Sequence, residues 1–269
     1  MNPKELRLRP ISAVAARAAV IRWHYSRTIP NNQAIRFGVF DGRGAIRGVV
    51  TFGPPMDKRR VIGIVSGTKW DGMVEIGRMA LDPLLPKNSE SRCLAVALRI
   101  LRKAYPSLEW VLTFADACQC GDGTIYRALG ALLTGVRRNT GIAVMPSGQV
   151  VVRKTLDNTY GGFRAAKVGG ASVMEGHQIR YVIPLVAGIA ARLTVQVLPY
   201  TVIAERGASM YMGRRRASEA SGMQPRPNGG EGGSTPTLTL QQSTARCENE
   251  HDGTPFPAEE RDAPDAAPS

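Results

Sequence analysis

Between residues 11 and 25, small apolar side chains recur at helical spacing around Arg17 and Arg22, and Ser12 stands where an N-cap belongs. Residues 35–40 and 45–52 are apolar runs that read as strands, and Asp41-Gly42-Arg43-Gly44 between them is a hairpin turn. Gly53-Pro54-Pro55 stops the second run. Residues 56–71 form a basic, glycine-punctuated connection. The stretch from Glu75 to Gly135 then reads strand, loop, helix, strand, loop, helix. Its strands are predicted at 75–81 and 110–116, and its helices from about 88 to 105 and from 124 to about 132.

Beyond this centre, 136–145, 149–153 and 178–184 look like strands, and Pro146-Ser147-Gly148 is a turn. Residues 157–176 are loop-like, and 194–203 form a last strand candidate interrupted at Pro199. From about Gly213 the chain turns to Pro, Gly, Ser, Thr and acids with few aliphatics. Such a segment buries too little apolar surface to offset its ordering entropy, so it is expected to be disordered. The pattern predicts a mixed α/β fold, a sheet with helices on both faces, in a domain over 1–212 followed by an acidic tail over 213–269.

Charge sharpens the picture. The net charge is +13 and the isoelectric point about 10.1. Three of the 35 Lys and Arg, and nine of the 22 Asp and Glu, lie from Ala217 onward. The preceding 216 residues thus carry 32 basic against 13 acidic side chains. A domain so basic favours a polyanion, most often nucleic acid. The four cysteines, Cys93, Cys118, Cys120 and Cys247, are too few for a disulfide scaffold. The first residues lack the apolar core of a secretory signal, and the longest apolar run, near 182–191, is short and holds Pro184. A reducing cytoplasm and no membrane partner are expected.

The polar residues that carry chemistry cluster in the central stretch. Asp116 ends a buried strand, and Tyr126 follows on the next helix; an acid and a phenol so placed can exchange protons with an amine or orient it. Equally, Asp116 could cap a loop and Tyr126 could pack. Arg78 lies within an apolar strand, where an arginine pairs with a carboxylate or phosphate; Asp116 is a candidate partner. Asn88-Ser89-Glu90-Ser91 opens a helix, an arrangement suited to anion binding or to capping alone. His24-Tyr25-Ser26 is a polar trio closing a helix. Cys118 and Cys120 have no second pair, and His24, His177 and His251 show no ligand spacing, so no metal site is expected.

The run Glu-Ile-Gly-Arg-Met-Ala-Leu-Asp-Pro, the helix after it, Trp-Val-Leu-Thr-Phe-Ala-Asp and Gly-Thr-Ile-Tyr-Arg-Ala-Leu-Gly resemble the core of GNAT-type acyltransferases. That resemblance implies a central, largely antiparallel sheet flanked by helices. The GNAT phosphate loop is replaced by Pro86-Lys87-Asn88-Ser89-Glu90-Ser91, without glycine, which weighs against ordinary acetyl-CoA binding. His24-Tyr25-Ser26, Arg78, the 88–91 run, Phe114-Ala115-Asp116 and Gly123-Thr124-Ile125-Tyr126-Arg127-Ala128, in that order, resemble the Mom family of phage DNA-modification proteins over about residues 10–200.

The Mom resemblance implies an enzyme that converts adenine in double-stranded DNA to its N6-carbamoylmethyl form and shields phage DNA from restriction. It carries catalytic positions onto Arg78, Ser91, Asp116 and Tyr126. Substrate contacts fall on His24, Tyr25, Ser26, Asn88 and Ser89. Lys58, Arg59, Arg60 and Lys69, in the basic connection, would follow the DNA phosphates. The donor of the group, a small molecule or a carrier, is not identified. A conventional GNAT N-acyltransferase acting on a protein or small amine, and a DNA-binding module without catalysis, remain open as alternatives.

Overall fold

The computed structural model describes residues 2–117, 121–148, 150–152, 156–157, 169–208, 210–211 and 214–215. The elements run β1 (Arg7–Pro10), α1 (Ala13–Trp23), β2 (Ile35–Phe40), β3 (Ile46–Gly53), α2 (Lys58–Val61), β4 (Met73–Leu81), α3 (Ser89–Ala104), β5 (Trp110–Asp116), α4 (Thr124–Arg127), β6 (Leu132–Val144), β7 (Val150–Val152), β8 (Ser172–Pro184) and α5 (Thr201–Glu205). Two short strands, β9 (Met210–Tyr211) and β10 (Arg214–Arg215), pair with each other. Strands β1 to β8 form one sheet in the order 1-2-3-4-5-8-6-7.

Every pairing in that sheet is antiparallel except β4 with β5. This is the mixed, largely antiparallel sheet flanked by helices that the sequence predicts. The parallel pair extends over only Met73–Glu75 against Trp110–Leu112, after which the two strands part. Their carboxyl ends open at one edge of the core, where α/β sheets place ligands.

Alternation along the strands builds two apolar layers. Val50, Phe52, Ile76, Val111, Ile179 and Ile183 face α3, whose Leu94, Ala97, Leu98 and Leu101 cover them. Each leucine so buried stabilises the fold by roughly 1.5–3 kcal/mol. Val49 and Ala80 face the other way and meet Ala16, Ala19 and Val20 of α1. Small residues on α1 bring its backbone close to the sheet. Ser12 caps α1 as predicted, accepting from the Ala15 amide at 3.2 Å. In the hairpin, Asp41 accepts from the amides of Arg43 and Ala45, each at 2.9 Å, and from Arg47.

Several expectations are corrected. The helix predicted at 124–132 ends at Arg127. Gly130 adopts φ +73°, and the Ala131 amide reaches back to the Tyr126 carbonyl. That left-handed closure turns the chain, and Leu132 starts β6 instead. Residues 172–176, expected in a loop, begin β8, because β6 is long enough to pair with them. Residues 194–203 do not form a strand. A bridge from Leu193 to Val65, the Thr194 amide on the Ile64 carbonyl, the Leu198 amide on the Leu133 carbonyl and the Tyr200 hydroxyl on the Ala131 carbonyl hold this segment without a ladder, and Pro199 has no amide to extend one. The basic connection contains α2, and β1 went unpredicted, since a four-residue edge strand with two arginines and a proline shows no alternation. The expected tail disorder, the cysteines 118, 120 and 247, and His251 lie outside the described residues. No helix among the described residues is long and apolar enough to cross a membrane.

Candidate active site

Asp116, at the last position of β5, points to the α1 side of the sheet, because Ala115 before it faces α3 and Phe114 faces the opposite layer. Tyr25, just past α1, donates its hydroxyl to Asp116 Oδ2 at 3.0 Å. The His24 ring stacks on Tyr25, with centroids 4.4 Å apart. The Ser26 amide donates to His24 Nδ1 at 3.1 Å, and Ser26 Oγ lies 2.8 Å from the same nitrogen. An Nδ1 that accepts leaves the ring proton on Nε2. Burial, reinforced by the Arg78 guanidinium, pushes the imidazole down to about 3, so it is neutral at physiological pH.

Arg78 is anchored from both sides. Its Nε donates to the Thr28 carbonyl and its Nη1 to the Gly77 carbonyl, each at 2.7 Å. Its amide donates to Thr51 Oγ1, and that hydroxyl donates to Gln33 Oε1, both at 3.0 Å. Gly77 permits this packing, since a Cβ there would sit 1.8 Å from Gln33 Oε1. The segment between α1 and β2 is thereby pinned to β4, which holds His24 and Tyr25 over the ends of the strands.

The other predicted residues occupy different places. Tyr126 lies on the α3 side, 8% exposed, packed against Tyr181 with centroids 5.7 Å apart. Tyr126 and Asp116 therefore approach the end of β5 from opposite faces. Asp122 positions α4: its Oδ1 accepts from the Thr124 amide at 3.1 Å, its Oδ2 pairs with Arg127 at 2.8 Å, and its carbonyl accepts from the Tyr181 hydroxyl. Asn88 takes φ 70° and makes no side-chain cap to α3. Capping by the Asn88 side chain, one of the two readings of that run, is thus not what forms the helix start. Ser89 is buried and donates to the Pro86 carbonyl, and Ser91 donates to the Asn88 carbonyl at 3.2 Å.

In the basic connection, Lys58 donates to the Met73 carbonyl at 3.2 Å and lies over the Trp70 ring. Arg59, Arg60 and Lys69 are exposed, and Arg60 pairs with Asp57 at 2.9 Å. Among the described residues no group of three or more His, Cys, Asp and Glu is placed to hold a metal.

Three groups that the sequence reading passed over share the face of Asp116. Glu75, half-buried, sits where β4 and β5 part; burial pushes its carboxyl up to about 7 against the pull of Arg78. Arg180 is held by Thr134, through Nε to Oγ1 at 3.1 Å and Nη2 to the carbonyl at 2.8 Å. Arg137 stands beside it, and the register places Arg180 across from Phe114. Only the charge of Arg180 inside an apolar strand could have drawn attention to it in the sequence.

Sheet and site together define a mixed α/β protein with a largely antiparallel sheet, whose polar cluster lies at the open end of the β4–β5 pair. The chain belongs to the Mom protein family: the family model matches residues 5–202. It is 39% identical over 138 residues to the methylcarbamoylase Mom of Escherichia phage Mu. That match spans 51% of this chain and 56% of the phage protein, about half of each. Solved structures that it is similar to include a GNAT family acetyltransferase from Elizabethkingia anophelis with acetyl-CoA bound (TM-score 0.41, 11% identity, 67% of this chain and 98% of that one). Another is the IAA acetyltransferase from Bacillus cereus (TM-score 0.42, 11% identity, 66% of this chain and 99% of that one).

Proposed function

We propose that this protein is a DNA-modification enzyme that converts adenine in duplex DNA to N6-carbamoylmethyladenine and so protects phage DNA from restriction. The observation that carries the reading is the Tyr25–Asp116 hydrogen bond beside a neutral His24 and an anchored Arg78, in a chain that belongs to the Mom family. The surplus of basic side chains before Ala217 suits a DNA substrate. A host bacterial cytoplasm would be the setting.

The exocyclic amine of adenine is a weak nucleophile, because its lone pair is delocalised into the ring, and the duplex hides it. The base must leave the stack to react. N6 then forms a bond to the methylene carbon of the donor, the bond from that carbon to its leaving group breaks with the electron pair going to the leaving group, and N6 loses one proton. Asp116 accepts that proton, and Tyr25 holds the carboxylate in place for it. Arg78 and Tyr126 stabilise charge that develops on the donor, and Ser91 contacts its polar end. His24, Ser26 and Asn88 complete the substrate contacts, Ser89 shapes the turn before α3 through the Pro86 carbonyl, and Arg59, Arg60 and Lys69 follow the phosphates. The donor is a small molecule or a carrier.

The test is mass spectrometry of nucleosides from plasmid DNA of bacteria expressing the protein or Asp116→Ala. A deoxyadenosine heavier by one carbamoylmethyl group, absent with the variant, is expected. Unmodified adenine with folded wild-type protein would sink the reading and favour a conventional N-acyltransferase.

A further inference from the structure

A cavity of about 630 Å³ opens on the α2 side of the sheet. Its lining includes Glu75 of β4, Leu112 and Phe114 of β5, Arg137 of β6, and Gln178 and Arg180 of β8. That volume lies in the range of small-molecule sites. Its floor is apolar and its far wall is cationic. Arg180 is half-buried, and burial together with the neighbouring Arg137 charge pulls its guanidinium below the usual arginine range. Among the described residues no carboxylate lies within ion-pair distance of Arg137 or Arg180. Two like charges oriented into one cavity, one of them fixed by Thr134, are the arrangement that a bound phosphate would relieve.

The strand that floors the cavity continues past its lining to Asp116, the cross-strand neighbour of Gln178. Glu75 is level with Leu112, Phe114 lies two residues on, and Asp116 is paired with Gln178 at the far end. Four strand residues separate the levels of Glu75 and Asp116, roughly 13 Å. The floor between two carboxyl groups is thus long enough for a purine and its hydrogen bonds.

We propose that this cavity receives the adenine nucleotide turned out of the duplex. The base lies on Leu112 and Phe114 with N6 toward Asp116, Glu75 donates a hydrogen bond to a ring nitrogen at the other end, and Arg180 with Arg137 holds the adjoining phosphate. The assignment rests on the DNA-modification reading. The ring nitrogens N1, N3 and N7 of adenine accept hydrogen bonds and cannot donate, so an ionised carboxylate would repel them. The burial that keeps a proton on Glu75 near neutrality suits it to this role. Guanine carries a proton on N1 and a carbonyl in place of N6, which Asp116 would meet unfavourably.

The experiment titrates the full-length protein with dAMP, deoxyadenosine, dGMP and inorganic phosphate by calorimetry or ligand-observed NMR, and repeats the series with Glu75→Gln, Glu75→Ala and Arg180→Gln. For the wild type, dAMP is expected to bind at least tenfold more tightly than any of the other three. Arg180→Gln should bring dAMP down to the level of deoxyadenosine. Glu75→Ala should bind dAMP at least fivefold more weakly, and Glu75→Gln, whose amide still donates, should bind it about as the wild type does. Wild-type binding of dAMP no tighter than of phosphate or dGMP would overturn the proposal, and this comparison needs no variant to fold. So would folded Glu75→Ala and Arg180→Gln proteins that bind dAMP as the wild type does. Nucleoside mass spectrometry separates the two ideas: modified adenine without dAMP selectivity removes the pocket alone, and dAMP selectivity without modified adenine removes the reaction alone.

Discussion

The Tyr25 hydroxyl donates to Asp116 Oδ2 at 3.0 Å and joins residues 91 positions apart in the chain. The end of the first helix is thereby tied to the end of the fifth strand. A hydrogen bond to an ionised carboxylate contributes about 1.5–3 kcal/mol. Tyr25→Phe should therefore lower the yield of modified adenine by roughly 10- to 100-fold and leave the folded structure intact, because Tyr25 is exposed and its ring can keep its stacking on His24. Nucleoside mass spectrometry alongside circular dichroism would check this. An unchanged yield would mean that Asp116 does not depend on Tyr25.

His24 should stay neutral well into acid. Its folded value, about 3, lies below that of an unfolded histidine, so between about 3 and 6.5 the unfolded chain binds the extra proton. Stability is thus fully present above about 6.5 and falls as pH drops toward 3. An imidazole NMR titration should show no protonation of His24 at pH 5, and the melting temperature of His24→Gln should vary less with pH over that range than the wild type's.

Glu75 works in the opposite direction. Its folded value, about 7, lies above the ordinary 4.5, so the folded protein holds the extra proton in between. Stability declines as pH rises from about 4.5 through 7 and then levels off, by at most about 3 kcal/mol. Arg78 on the same strand opposes the rise, and Asp57 and Arg60 beside α2 and Arg137 and Arg180 on β6 and β8 line the same cavity. Glu75→Gln should melt higher than the wild type at pH 8, and the gap should close at pH 5.

Gly77→Ala should act on the site through the backbone. The added methyl would collide with the Gln33 amide, which is buried and bonded to Thr51, and Thr51 in turn accepts from the Arg78 amide. Strain of this kind costs on the order of 1–3 kcal/mol. A lowered denaturation midpoint together with a loss of modification is expected; a variant as stable as the wild type would show that Gln33 yields freely.

The exposed cations should reveal themselves in salt dependence. Replacing Arg59 and Lys69 with alanine should flatten the slope of log affinity for duplex DNA against log salt by about 1.8, if both contact phosphates. Lys58→Ala should change stability more than slope, because its ammonium is engaged by the Met73 carbonyl and the Trp70 ring.

Much of this molecule was determined by local sequence. Periodicity and end signals suffice for α1, β2, β5 and the start of α3, since apolar spacing, Ser12 and the hairpin turn act over a few residues. The family motifs likewise marked Asp116, Arg78 and the His24-Tyr25-Ser26 trio as polar groups in an apolar frame. What the sequence could not reveal is set by partners far along the chain. The early end of α4 depends on β6 being drawn into pairing with β8, and the meeting of Tyr25 with Asp116 depends on α1 packing across β3 and β4. Glu75 looks like any strand carboxylate until the parting of β4 and β5 buries it, and Arg180 becomes part of a site only because its strand lies between β5 and β6. Burial and long-range register decide which charges face a common cavity, and both come from tertiary packing, to which a local pattern is blind.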